Sequence, residues 1–144
     1  MTEQDRARIE AICQRLSIAF ANAADRHDAA GLSGTFAVDG QFDRRGEVVK
    51  GRAAIAASMA DWSPDMVLRH VCSNLLVDVQ DENNATGITY ATVWRHPPEK
   101  KAERKGKVAP LTQPAALVEY HDKYVRTEEG WRIAYRRTVP VFAA

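Results

Sequence analysis

Cysteine is scarce in this chain. Its 144 residues hold two, Cys13 and Cys72, with no C-x-x-C and no metal-ligand spacing. That excludes a disulfide-rich scaffold and a cysteine-built zinc site. Both thiols sit among apolar residues and read as buried and free, as a reducing cytoplasm would keep them. No apolar run approaches the ~20 residues that span a bilayer. The opening "MTEQDRARIE" has no apolar stretch and does not read as a signal peptide. An excess of one charge is also missing: 20 Lys and Arg against 19 Asp and Glu give a formal net charge of +1. No global field therefore points to nucleic acid or an anionic membrane as a partner. There is no glycine-rich phosphate loop and no G-x-S-x-G. His27, His70, His96 and His121 form neither H-E-x-x-H nor any other zinc spacing. No metal and no organic cofactor is implied.

What is present is a composition of 45% hydrophobic and 27% charged residues, ordinary for a soluble globular protein. The length suits one domain over 1–144, with room for a core or a sizeable pocket. Residues from about 4 to 27 read as one helix, because Ile9, Ile12, Cys13, Leu16, Phe20 and Ala23 recur at helical spacing. A short helix capped by Asp28 follows, then two short strands in "AVDGQFDRRGEVVKG" and a third helix in "GRAAIAASMADW". Long strands are expected over 66–79, in "ATGITYATVWRH", in "AALVEYHDKYVRT" and in "WRIAYRRTVPVF". Helices first and an antiparallel meander afterwards is α+β order. A curved sheet covered by helices leaves a cavity suited to a small-molecule ligand. Residues 97–114 read as a mobile loop. Its "RHPPEKKAERKGK" has a basic surplus but no interleaved aromatics, so it reads as a solvated loop or a lid rather than a nucleic-acid site.

Three places carry polar groups of chemical interest. The first helix ends in "NAADRHDAAGL", which sets Asp25, Arg26, His27 and Asp28 side by side. On an ideal wheel the apolar stripe centres near Leu16, His27 falls close to it, and Asp25 lies about 180° away. Periodicity alone thus leaves Asp25 in solvent or capping the next turn. On the strand after "DENN" and the proline-rich loop, alternation groups Asp122 with Val118, Tyr120 and Tyr124 on the more apolar face. Asp122 there is either a working carboxylate or one satisfied by the tyrosines or by an arginine of the next strand. His70 lies on the first long strand, where both faces are mixed. It is either a proton carrier or a satisfied core histidine.

The ordered set "AADRHDAAGL", "FAVDGQFD", "KGRAAIAASM", "RHVCSNLLVDV" and "YHDKYVRTEEGWRIAYRR" resembles the SnoaL-like branch of the nuclear transport factor 2-like superfamily. The resemblance implies a cone-shaped α+β barrel: a strongly curved, mostly antiparallel sheet wrapped round a long N-terminal helix, with an internal pocket. It carries a catalytic Asp–His pair onto Asp25 and His70, and a pocket arginine onto Arg136. Tyr90, Tyr120, Asp122, Phe20 and Phe42 would join Arg136 in binding substrate. A lysine used by the family's dehydrochlorinase falls on Phe20, which argues against dehydrochlorination. The function so implied is a cofactor-independent lyase of dehydratase type, or an isomerase, acting on a cyclic, largely apolar molecule. The alternative is a non-catalytic binding or accessory subunit resembling the β-subunit of ring-hydroxylating dioxygenases. Members associate through the sheet face, so a homodimer or homotrimer is expected.

Overall fold

The computed structural model describes residues 1–144. Helix α1 (Glu3–Asp25) is followed by α2 (Ala29–Gly34), β1 (Phe36–Arg44), β2 (Glu47–Lys50) and α3 (Arg52–Ala57). Then come β3 (Val67–Val79), β4 (Asn84–His96), β5 (Ala116–Thr127) and β6 (Gly130–Ala143). The six strands form one sheet in the order β2-β1-β6-β5-β4-β3. β3 to β6 make the expected antiparallel meander. β1 returns to the sheet parallel to β6, so the sheet is mixed. Its edge strands β2 and β3 do not pair, which leaves the cone open rather than closed. No helix is long and apolar enough to cross a membrane.

The sheet bends because several ladders slip. Register shifts fall between Ser73 and Leu76 on β3, between Phe36 and Gln41 on β1, and at two points between β5 and β6. Such irregularities kink a strand and raise its twist. In β3 the slip coincides with Asn74 in the left-handed region, at φ 49°. The inward phase changes there: Leu68, His70 and Cys72 point in before it, and Val77 and Val79 after it. Helix α1 lies in the concave face against β3. Cys13 and Phe20 from α1, Phe36, Ile55, Tyr124 and Ile133 form a tightly buried core with it.

The buried face of α1 is not the stripe centred on Leu16. It comprises Ile9, Cys13, Ser17, Phe20, Ala21, Ala23, Ala24 and Asp25. That face is displaced toward the side on which Ser17 and Ala24 lie. The displacement has a physical cause: small and hydroxylated side chains allow the helix to approach a buried arginine, and a hydropathy wheel weights them weakly. Segment 97–114 is built more regularly than a bare loop. It holds a 3-10 turn over Pro98–Glu103 and a bridge between Lys105 and Val108.

Candidate active site

The end of α1 places Asp25. Thr2 and Asp5 start the helix with a reciprocal capping box. At the other end His27 N–H donates to Ala24 O at 3.1 Å and Asp28 N–H to Ala23 O at 2.8 Å. This is a Schellman ending, with His27 in the left-handed position at φ 58°. A non-glycine residue there costs ~1 kcal/mol. The His27 ring is held by the Met66 carbonyl, 2.9 Å from Nε2, which helps to offset that cost. The chain turns immediately after Asp25, so this carboxylate sits on the last helical residue, with its side chain only 5% exposed. Asp28, next along, caps α2 by accepting from Gly31 N–H at 2.9 Å.

Asp25 meets His70 three times. The His70 backbone N–H donates to both carboxylate oxygens, at 3.1 and 3.0 Å. The ring Nδ1 lies 2.7 Å from Oδ1. A carboxylate accepts, so Nδ1 carries the hydrogen, and in the neutral imidazole the lone pair is then on Nε2. His70 forms part of the wall of a cavity of about 500 Å³. Phe20, Phe42, Met59, Trp62, Val118 and Tyr120 contribute apolar surface to the same wall. Asp25 stands behind the histidine and orients its ring. A larger open groove of about 690 Å³ lies on the outer side of α1, along Ile12, Leu16 and the exposed Arg8 and Arg15. Its lining includes no histidine, and its two carboxylates, Asp5 and Glu82, are both exposed.

Behind the rings of Phe20 and Tyr120 lies a fully buried ion pair. Arg136 donates from Nε to Asp122 Oδ1 and from Nη2 to Asp122 Oδ2, both at 2.8 Å. Nη2 also reaches Ser17 Oγ at 2.7 Å. Tyr124 donates to Asp122 Oδ2 at 2.8 Å. The guanidinium carbon stands 4.5 Å from the Phe20 ring centre and 4.2 Å from that of Tyr120, a doubly stacked cation. Nη1 is buried without a partner. Burial alone would lower the Arg136 pKa, but the Asp122 carboxylate outweighs it and the group is held more firmly charged. Burial pushes the Tyr120 hydroxyl up to about 12, against the opposing pull of Arg136, so it stays a proton donor.

The family model described as the SnoaL-like domain matches residues 4–137. The chain belongs to this family. No curated protein matches the sequence. Among solved structures, this SnoaL-like chain is similar to an aspartate-to-asparagine variant of a protein of unknown function from Mycobacterium tuberculosis. The two share 27% identity over 98% of this chain and 77% of that one, with a TM-score of 0.77. A provisionally assigned scytalone dehydratase from Novosphingobium aromaticivorans matches with a TM-score of 0.78 at 16% identity, over 100% and 91% of the two chains. A type 2 hexachlorocyclohexane dehydrochlorinase matches with a TM-score of 0.79 at 16% identity, over 99% and 92%.

The structure distributes the expected site residues of this SnoaL-like chain unevenly. Asp25 and His70 come together, and Phe20, Phe42 and Tyr120 line the cavity. Tyr90 does not. It alternates with the inward Thr89 and Ala91 and points from the outer face of the sheet, 36% exposed. Asp122 and Arg136 are withdrawn from the cavity wall, because each is the other's partner and both are sealed behind Phe20 and Tyr120. The alternative of an Asp122 satisfied by tyrosine and arginine is the arrangement observed. Sequence reasoning did not single out Ser17 as a ligand of Arg136, or Met59 and Trp62 as cavity wall. The only signal for the last two was the apolar pattern of "GRAAIAASMADW", which runs on past the end of α3 at Ala57. No three His, Cys, Asp or Glu side chains converge to hold a metal.

Proposed function

We propose that this protein is a cofactor-independent lyase or isomerase that acts on a cyclic, largely apolar small molecule through His70 and Asp25. One observation carries the reading: an imidazole at the wall of a 500 Å³ apolar cavity has its far nitrogen 2.7 Å from a buried carboxylate. His70 Nε2 takes a proton from the carbon next to a carbonyl. Asp25 fixes the tautomer and stabilises the imidazolium that forms. The C–H electrons become the new double bond. In the lyase reading a β-hydroxyl departs with its C–O electrons and receives the proton from His70, leaving as water. In the isomerase reading the proton returns to a different carbon. The Tyr120 hydroxyl, kept protonated by burial, is the donor available to the developing oxyanion. Arg136 is excluded from that task by its burial and acts through the placement of Tyr120. The apolar wall keeps water from competing.

The two structural relatives named as a dehydratase and a dehydrochlorinase support the reaction class by fold alone. Open cavity space beside His70 favours catalysis over an accessory role, which would need no oriented base. Proton exchange tests it directly. A cyclic ketone such as 2-tetralone is incubated in D2O and its α-protons are followed by NMR. Exchange accelerated by the wild type and lost in a His70→Ala variant that still unfolds cooperatively supports the mechanism. Equal exchange by both removes it. The outer sheet face, where Val71, Leu76, Ile88 and Tyr90 are exposed, is the surface on which we place the contact of a homodimer or homotrimer. Leu76→Lys should then yield monomer in sedimentation, and an unchanged sedimentation coefficient would count against the contact.

A further inference from the structure

A local surplus of positive charge lies beside the cavity. Arg95 and the segment that follows it, to Lys107, hold six cations against two carboxylates, in a chain whose formal net charge is +1. That segment is tied beside the cavity. Lys101 pairs with Asp65 at 2.9 Å, and Arg104 donates to the Asp65 carbonyl and to His96 Nδ1. Asp65 follows closely on Trp62, a cavity residue, and Arg95 itself lines the wall. Arg44, the last residue of β1, and Arg45, in the tight turn to β2, line it as well. Arg45 sits in the left-handed region at φ 57°, in a turn closed by Gly46 N–H on Asp43 Oδ1 at 2.7 Å. Against these three arginines the cavity lining offers a single acidic side chain, Glu47. None of the three takes part in an ion pair.

We infer that the ligand is bipolar: an apolar cyclic body that enters toward His70, and an anionic handle, carboxylate or phosphate, held at the mouth by Arg44, Arg45 and Arg95. This rests on the reading of the cavity as the substrate site. Guanidinium forks match both anions in bidentate geometry. Burying the anion with the ring system would cost several kcal/mol in desolvation, so a charged group belongs at the wet rim. The handle then sets which carbon faces Nε2. The basic segment around it steers anions inward, with a rate that salt depresses.

Three naphthalene probes test the inference by equilibrium binding to the full chain: 2-naphthoate, 2-naphthyl phosphate and the neutral 2-naphthamide. An anionic probe is expected to bind about tenfold tighter than the amide. That margin should shrink when salt rises from about 0.1 M to about 1 M. The Arg44→Gln/Arg45→Gln/Arg95→Gln variant should lose the margin while its amide affinity and melting temperature stay put. If that variant proves unstable, the salt dependence of the wild type decides. The better of the two anions identifies the handle. Equal affinity for anionic and neutral probes, or no saturable binding of the anions, overturns the inference. The catalytic reading fails separately. His70→Ala that still exchanges protons defeats catalysis and leaves the handle standing, whereas intact exchange without anion preference does the reverse.

Discussion

Replacing Asp25 by Asn isolates the role of the carboxylate with almost no change in volume. The wild-type side chain accepts from the His70 backbone N–H with both oxygens and from the ring Nδ1–H with Oδ1. An amide has one oxygen. The backbone N–H retains it, and the amide NH2 is turned toward the ring. Nδ1 must then accept, so the ring hydrogen moves to Nε2, the nitrogen that should hold the reactive lone pair. Two effects follow. Exchanging a charge-assisted hydrogen bond for a neutral one in a nearly buried site costs about 1 kcal/mol. For a chain of this length that lowers the melting temperature by about 4 °C. Turnover suffers far more: a base presented in the wrong tautomer loses about a thousandfold or more in kcat. The ring nitrogens report the tautomer without any substrate, through long-range 15N–1H NMR. The expected spectrum shows Nδ1–H in the wild type and Nε2–H in Asp25→Asn. A variant that keeps Nδ1–H, or that keeps its tautomer-dependent proton exchange, would refute the orienting role.

Other consequences are equally concrete. Asp122→Leu alone leaves the sealed Arg136 without its carboxylate and should cost about 3–5 kcal/mol in urea denaturation. Adding Arg136→Met should recover most of that loss, and additive losses would disprove the coupling. Burial raises Cys13 from its ordinary 9.0 to about 12 and Tyr120 from 10.0 to about 12. Both are neutral acids that the unfolded chain ionises first. Their contribution is therefore complete below pH 9 and disappears as pH climbs toward 12. Melting temperatures across that range should fall, and less steeply for Cys13→Ala. A Cβ at Gly40 would lie 2.9 Å from the Ala37 carbonyl oxygen and 3.0 Å from that of Ile133. Gly40→Ala should therefore loosen the β1–β6 pairing and cost about 2 kcal/mol, read as amide-exchange protection lost along β1.

The sequence by itself determined what depends on neighbours along the chain. Helical spacing marks α1, period-two alternation marks the four long strands, and turn residues separate them, so the α+β order was legible, although α1 stops at Asp25 and α3 at Ala57, both short of the ends that spacing suggested. Alternation also put Asp122 with Tyr120 and Tyr124 on one face, but left open whether it was a working or a satisfied carboxylate until the structure supplied Arg136 and Tyr124 as partners. The pairing of Asp25 with His70 was legible only through resemblance, since the helix wheel pointed Asp25 away. Tertiary structure decided the rest. The parallel return of β1 beside β6 depends on long-range pairing that no local pattern encodes. The bulge at Asn74 changes the inward phase of β3, so alternation read straight through that strand misassigns its second half. The buried face of α1 is set by what it touches, a stacked arginine that needs Ser17 and small neighbours. Tyr90 has the chemistry of a site residue but the wrong parity on β4. The Schellman turn at His27 ends the helix one residue after it has carried Asp25 onto the flank facing β3. There the ring and backbone of His70 supply the partners that make a buried carboxylate stable.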